Sequence, residues 1–374
     1  MTLTRTILGL SDSSGISVSD DICVVIPAHN EELLVGRCVR SVLAAGIAPR
    51  HVYVVNDGSK DGTAAVVSGV CGVNLLTNET PSGKLGAIRT AIAHFSLTTR
   101  YRYLALLDAD SHVAPDYFSE VLTRFASAPE TVLVCGAPCS ERHNWLTAYR
   151  ALEYAVTLRV FKSGQSTLGV ITVAPGCAST YATRILPDLE WDTQTLVEDM
   201  DLTMQIHRKR LGPITFTPHA VAYTQDPQTI KQYIGQLTRW YSGTWQVMLL
   251  RRLPFGGQRI DAEFALLTGE GLVYAVLFLA LPVLGWLDPL AVLAFLSLDQ
   301  ALWLALAVGF SIHQRRADVL WAFPFFLFVR CLNCVVLLRT FWLEVIRRKT
   351  RREWFSVTRY RSTADAVVME TTHG

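Results

Sequence analysis

Apolar residues fall along this chain in two rhythms. Between residues 21 and 250 they come in short runs separated by polar clusters. Ile22-Cys23-Val24-Val25-Ile26 is one such run, stopped by Pro27; His51–Val55, Tyr103–Leu107, Val132–Cys135 and Ile214–Thr217 are others. Runs of this kind suit strands buried on both faces of a parallel sheet. Elsewhere the spacing turns helical. Leu34, Val35, Val39, Val42 and Leu43 fall on one side of a helix expected over Glu31–Ala45, and Thr63–Val70 and Ile230–Leu250 also read as helices. Strands alternating with helices predict an α/β fold with a mostly parallel, doubly wound sheet. In such sheets ligands bind beyond the carboxyl ends of the strands. The polar clusters at 27–31, 56–59 and 108–110 all fall at that edge.

The second rhythm is nearly continuous. No charge occurs from Gly271 to Leu287, and Phe264 to Gly269 extend this stretch to the ~20 residues a bilayer requires. After Asp288-Pro289, Leu290 to Ile312 forms a second stretch, interrupted only by Asp299 and Gln300. Asp299 reads either as an interior polar group with its hydrogen bonds satisfied or as a functional intramembrane carboxylate on a sugar path. A third stretch, Val319 to Ile346, contains Arg330 and Arg339. The positive-inside rule places Arg315 and Arg316, and the tail bearing Arg347, Arg348, Lys349, Arg351, Arg352, Arg359 and Arg361, in the cytoplasm. That parity predicts two crossings. The expected organisation is therefore a flexible, Ser/Thr-rich N-terminus (1–20), too polar for a signal peptide; an α/β domain (21–250); a membrane region (251–346) with spans at about 264–287 and 290–312 and an interfacial or re-entrant 319–346; and a basic cytoplasmic tail (347–374).

Composition agrees with a membrane protein: only 18% of residues are charged and 50% are hydrophobic. A net charge of +2 gives no case for nucleic-acid binding. The 8 cysteines are too dispersed for a small disulfide scaffold. Cys331/Cys334 and Cys135/Cys139 lack a second pair at zinc-finger spacing and read as reduced thiols, mostly buried.

Candidate chemistry lies at the strand ends. Asp108-Ala109-Asp110 places two carboxylates after a buried run, able to hold a divalent cation beside a diphosphate, or simply to end a strand. Asn56 to Thr63 is a turn-rich loop in which Asp57 is suited to accept from a base or ribose. Ser82-Gly83-Lys84 lacks the Walker A spacing, yet Lys84 can reach a phosphate or base. Glu198 and Asp199 open a helical segment, either favouring its N-terminus or supplying a carboxylate base. Gln236, Arg239, Trp240 and Gly243 share one helix face; Arg suits a diphosphate and Trp a sugar ring, unless both are interfacial anchors.

In order, these pieces resemble the membrane-bound branch of glycosyltransferase family 2, which includes cellulose, chitin, hyaluronan and poly-N-acetylglucosamine synthases and glucosylceramide synthase. The likeness runs from Ile22 to Met248. Pro27-Ala28-His29-Asn30-Glu31 is similar to the P-x-x-N-E opening, Asn56–Thr63 to the nucleotide-binding segment, Gly83-Lys84 with Ala87 to G-K-x-x-A, and Asp108–Asp110 to D-x-D. Pro175–Ser179 with Arg184 is similar to the acceptor-side region, Glu198-Asp199 to the E-D motif, and Gln236–Trp240 to Q-x-x-R-W. The resemblance implies a GT-A fold and inverting transfer from a nucleotide sugar, UDP-linked by expectation, with Mg²⁺ or Mn²⁺ as cofactor. It implies that His29 and Asp57 hold the base, that Pro27 and Glu31 line the donor site, and that Lys84 and Asp108 contact the nucleotide. By the same comparison Asp110, with Asp108, takes the metal. Asp199, next to Glu198, is the base; Gln236 and Arg239 hold the diphosphate, and Trp240 the acceptor sugar. Trp354 with Thr358-Arg359 is similar, at longer spacing, to the W-x-T-R element of hyaluronan synthases.

The implied partners are a nucleotide sugar, a glycan or lipid acceptor, and the membrane. The implied location is the cell membrane, multi-pass, with the catalytic domain cytoplasmic. Two spans cannot enclose a polymer channel, which points to a homo-oligomer, a partner subunit, or a short product. Transfer of one sugar to a lipid or protein acceptor is the alternative. An inactive membrane-anchored binding protein is disfavoured by the intact Asp108, Asp110, Asp199 and Arg239. An NAD-dependent oxidoreductase is disfavoured because no G-x-G-x-x-G follows the first run.

Overall fold

A computed structural model describes residues 20–192, 195–351 and 358–360. Eight strands form one sheet: β1 (Ile22–Ala28), β2 (Val52–Asp57), β3 (Asn74–Asn78), β4 (Tyr103–Leu106), β5 (His112–Val113), β6 (Leu133–Ser140), β7 (Ser179–Ala182) and β8 (Ile214–Thr224). Their spatial order is β3-β2-β1-β4-β7-β6-β8-β5. The β3-β2-β1-β4 half is parallel, β7 runs antiparallel to both neighbours, and β6 pairs parallel with β8. The expected α/β class and mostly parallel sheet are therefore present, with an antiparallel insertion.

Helices α1 (Val35–Ala44), α2 (Thr63–Ser68), α3 (Gly83–His94), α4 (Leu97–Arg100) and α5 (Tyr117–Ser127) connect the first strands. Their apolar sides pack on the sheet: Val35, Cys38, Val39 and Val42 of α1 join Ile22, Val24 and Ile26 on one face, while Ala87, Ile88 and Ala91 of α3 join Cys23, Val25 and Tyr53 on the other. Several boundaries differ from expectation for local reasons. Asn30 adopts φ +56°, and Glu31–Leu34 form a turn, so α1 begins at Val35 rather than Glu31. Pro49–His51 form a 3-10 turn, so β2 begins at Val52 rather than His51. Pro27 does not stop β1; it stays in register opposite Val55, where its missing N–H costs one ladder bond.

Helices α6 (Trp145–Val156) and α7 (Ser163–Leu168) flank a π-helical turn, and α8 (Glu198–Lys209) precedes β8. Asn144 caps α6 reciprocally with Thr147. Helix α9 (Ile230–Leu250) matches its expected bounds and leads into α10 (Arg259–Leu287), α11 (Pro289–Gln314), α12 (Asp318–Ala322) and α13 (Phe326–Phe341). Three helical runs, Arg259–Leu287, Pro289–Gln314 and Asp318–Ile346, are long and apolar enough to cross a membrane. Length and composition do not separate a crossing from the interfacial or re-entrant placement expected for 319–346. The interruption of this third run at Arg330 is neutralised by Asp299 of α11, at 2.5 Å, so the residue that broke the apolar pattern does not break the helix.

Contacts at the helix ends relate this region to the α/β domain. After α11, the Arg315 carbonyl accepts from Arg142 at 2.6 Å, and Arg316 donates to the Ser140 carbonyl at 3.1 Å. Asn333 of α13 accepts from the Tyr233 hydroxyl of α9 at 2.7 Å, and Trp245 of α9 donates to Thr340 at 3.2 Å. Thus α10 and α11 leave the domain and return to it, while α13 lies along α9. All 8 cysteines are unpaired; Cys135 and Cys334 are buried as expected, Cys139 and Cys331 are half-buried, and Cys71 is exposed.

The fit between α9 and the segment ahead of α8 is close. A Cβ on Gly243 would lie 2.6 Å from a Val197 methyl and 3.0 Å from its backbone nitrogen. Gly243→Ala should therefore destabilise the chain by about 1–3 kcal/mol. Gly164→Ala, at a helical position with nothing within 4 Å, should be neutral or stabilising by up to about 1 kcal/mol. Thermal unfolding of the two purified variants against the parent checks both.

Candidate functional site

The site is assembled from loops that leave the carboxyl ends of β1, β2 and β4. The first two are laced together. The Asn30 backbone N–H donates to Ser59 Oγ at 2.9 Å, Asn30 Oδ1 accepts from the Lys60 backbone at 2.9 Å, and the Glu31 N–H donates to Thr63 Oγ1 at 2.8 Å. His29 Nδ1 lies 2.7 Å from the Asp57 carbonyl, which can only accept, so Nδ1 carries the proton. Nε2 then accepts from the Asn30 amide at 3.0 Å, a consistent neutral tautomer.

The Asp57 carboxylate is engaged by its own neighbourhood. It accepts from the Ser82 and Gly83 backbone N–H groups at 2.8 Å each, from Ser82 Oγ at 2.8 Å and from Asn78 Nδ2 at 2.8 Å. These bonds fix the turn that starts α3 and presents Lys84, and Asp57 itself lines the cavity. Gly58 permits this approach: at φ +65°, its Cβ would lie 2.8 Å from Pro81.

Lys84 Nζ joins the two sides of the cleft, 2.6 Å from Asp108 Oδ1 and 2.9 Å from Glu198 Oε1. A Cβ on Gly176 would come within 2.6 Å of that Nζ, so the glycine lets the ammonium sit at its present position. Asp199 is the second residue of α8. It accepts from the Gly176 N–H at 3.2 Å and from the Met200 N–H at 2.8 Å. Burial, then the adjacent Glu198 charge, pushes its carboxyl up to about 6 against the pull of Lys84. Glu31 is likewise pushed up to about 7 by burial, opposed by Arg359.

Helix α9 closes the far wall. Arg239 donates to the Leu196 carbonyl at 3.3 Å, just ahead of the Glu198-Asp199 pair. Gln236 is buried, and its Oε1 has no partner among the described residues. The Trp240 ring lies 4.9 Å from the Arg150 guanidinium, which also pairs with Asp226 at 3.4 Å.

The residues expected to hold donor, metal or acceptor line one cavity of about 2100 Å³: Pro27, His29, Glu31, Asp57, Lys84, Asp108, Asp110, Glu198, Asp199, Gln236, Arg239 and Trp240; Arg184 of the acceptor-side motif does not, donating instead to the Glu130 and Thr131 carbonyls. Sequence reasoning missed other parts of its wall. Arg150, Glu153 and Tyr154 lie on α6, whose signal was the Asn144-x-x-Thr147 cap; Asp226 had no signal of its own. Lys162, in the π-helical turn, is buried, donates to the Val173 carbonyl, and has its ammonium pKa lowered by burial. The cavity continues between α10, α11 and α13 to Tyr274, Asp299 and Arg330. Asp299 is thus a satisfied interior group that also faces the cavity. Arg359 enters from the C-terminal segment, 2.7 Å from Asp110 and 2.6 Å from Glu31; Trp354 lies outside the described residues.

The donor set suits a hard cation only in part. Among the described residues no group of three or more His, Cys, Asp or Glu side chains could hold an ion unaided. Asp110 and Asp108 can provide the one or two carboxylates that a Mg²⁺-type ion takes when phosphates complete its shell. The Arg359 guanidinium on Asp110 shows that this position accepts positive charge.

The family described as "Glycosyltransferase like family 2" matches residues 20–243, more than half of the chain. The poly-β-1,6-N-acetyl-D-glucosamine synthase of Staphylococcus epidermidis is 26% identical over 235 residues, 62% of this chain and 56% of that protein. The Staphylococcus aureus enzyme of the same name is 25% identical over the same shares. The chain thus spans little more than half the length of these curated relatives. Among solved structures, the mannosyltransferase PcManGT from Pyrobaculum calidifontis, in complex with GDP-Man and Mn²⁺, superimposes with a TM-score of 0.62 at 17% identity, covering 88% of each chain. The fold is accordingly GT-A, and the chain belongs to glycosyltransferase family 2.

Proposed function

We propose that this chain transfers a hexose from a nucleotide-diphosphate sugar, UDP-linked by preference, to a hydroxyl of a β-linked glycan at the cytoplasmic face of the membrane, with inversion. One observation carries the reading: the half-buried Asp199 carboxylate, pushed up to about 6, faces the same cavity as Asp108, Lys84 and Arg239. A base near neutrality opposite a cationic diphosphate site is what single displacement requires. Relatives named as polymerising β-linked N-acetylglucosamine support the polymer product.

In this mechanism Asp199 removes the proton from the acceptor hydroxyl as its oxygen attacks the anomeric carbon. The bond from that carbon to the diphosphate oxygen breaks, and the electron pair leaves with the nucleoside diphosphate. Arg239 and Lys84 face the charge that develops there, with Gln236 beside them on the α9 wall. The Asp57-bound turn sets the height of Lys84, and Pro27 and His29 form the base end. Trp240 presents its ring on the acceptor side. A divalent ion bound by Asp110 with Asp108 would neutralise further diphosphate charge.

We also infer two full crossings, α10 and α11. Arg315, Arg316 and Arg359 all touch the α/β domain, so the chain is on the domain's side both after α11 and after α13. An odd number of crossings would separate Arg359 from Asp110. A single addition to a lipid-borne acceptor is the second reading. It is favoured by the cavity's extension to Tyr274 and Asp299 between helices that present apolar side chains outward.

Washed membranes carrying the chain should release nucleoside diphosphate and label product from at least one of UDP-N-acetylglucosamine, UDP-glucose, UDP-galactose or GDP-mannose, with Mg²⁺ or Mn²⁺ present. Silence with all four sinks the proposal; a product ladder favours the polymer reading, a single addition the lipid reading. Asp199→Asn should lower kcat by roughly 10²–10⁴-fold in the same assay. Because the base works deprotonated, kcat/KM should rise with pH through about 6 and then level. A midpoint near the ordinary aspartate value of about 4 would show that Asp199 is not the base.

A further inference from the structure

Glu31 and Asp110 lie on loops after β1 and β4, yet one guanidinium holds both. Arg359 Nη1 is 2.7 Å from Asp110 Oδ2. Its Nε donates to the two Glu31 oxygens at 2.9 and 3.1 Å, and its Nη2 to Oε1 at 2.6 Å. The side chains of Arg359, Glu31 and Asp110 are only 21%, 11% and 12% exposed. Two buried carboxylates that share one guanidinium would repel each other without it, so this pocket calls for a cation and a basic side chain fills the position.

The neighbours of Arg359 hold it there. Gln225 grips the Tyr360 backbone in both directions, its amide donating to the carbonyl at 2.7 Å and its Oε1 accepting from the N–H at 3.2 Å. Gln228 donates to the Thr358 carbonyl at 3.3 Å, and the Tyr360 ring packs 4.0 Å from His143. These contacts are neutral and peripheral to the carboxylates, so the segment can leave without dismantling the sheet edge.

We propose that Glu31 and Asp110 form one cation site, occupied alternately by Arg359 and by a divalent metal ion, so that metal loading ejects residues 358–360 from the catalytic cavity. A guanidinium and a divalent ion cannot both sit between the same two oxygens: like charges at contact repel, and each needs the same lone pairs. The proposal rests on the reading above that Asp110 takes the ion. It adds Glu31 as a further carboxylate beside Asp110 and Asp108 and gives the C-terminal segment a role as internal competitor.

The test uses the purified full chain without any sugar donor, so it is decided even if no transfer activity is found. Mn²⁺ binding is followed by the electron paramagnetic resonance signal of the free ion. Arg359→Gln should tighten it by roughly tenfold, within the range of ordinary coupling between two ligands. Gln225→Ala, which loosens the segment but leaves Arg359 and both carboxylates in place, should also tighten it, by a smaller factor. Adding Glu31→Gln to Arg359→Gln should weaken binding again. In the parent chain, Mn²⁺ should speed hydrogen exchange of the peptide spanning 358–360. Unchanged or weaker Mn²⁺ binding in Arg359→Gln, no loss on adding Glu31→Gln, or exchange at 358–360 that ignores Mn²⁺ would each overturn the proposal.

Discussion

The ammonium of Lys84 is the constraint around which the site is organised. It touches a carboxylate from the strand side, Asp108, and one from the helix side, Glu198. Without it, Asp108 would face Glu198 and Asp199 across the cleft in surroundings that disfavour charge. Burial alone costs a buried ion several kcal/mol, and removing one member of such a group costs about 3–5 kcal/mol. The arrangement therefore depends on features that have no chemistry themselves. Gly176 yields the room that the ammonium occupies, and Asp57 anchors the turn from which Lys84 projects. Coupling the two sides in this way means that anything drawing Lys84 toward a phosphate also alters the electrostatics felt by Asp199.

Positive charge is distributed economically across the cavity. Lys84 serves Asp108 and Glu198, Arg359 serves Glu31 and Asp110, and Arg150 lies among Glu153, Asp226 and three aromatic rings. The carboxylates of the cavity are thereby neutralised by the chain's own side chains.

The strand ends were legible because buried parallel strands have a strong apolar signal and their polar termini stand out against it. The α9 helix was legible to the residue, since its face is periodic over five turns. What stayed hidden is instructive. Strands β3, β5 and β7 are short or lack a hydrophobic run: β7 reads Ser-Thr-Tyr-Ala and takes its burial from neighbours, not from composition. Helix α6 was passed over although its cap is local. The pairings that close the site, Arg359 with Asp110 and Asp299 with Arg330, join residues far apart in sequence. In a linear reading each looks like an isolated charge in the wrong place. The cavity required three-dimensional contact to turn those charges into partners, and the site residues that lacked a motif, such as Asp226 and Lys162, needed the same.

Tyr274, Asp299 and Arg330 meet at the inner end of the cavity. Helices α10 and α11 are largely unburied by the protein, with 17% and 6% of their apolar windows enclosed, and this polar knot fastens both to α13. Coulomb attraction scales inversely with the local dielectric. The knot lies at the inner end of the cavity, so its grip is firmest when that end is dry and slackens as water fills it. The hairpin is thus clamped by an ionic latch whose hold depends on what occupies the cavity's inner end.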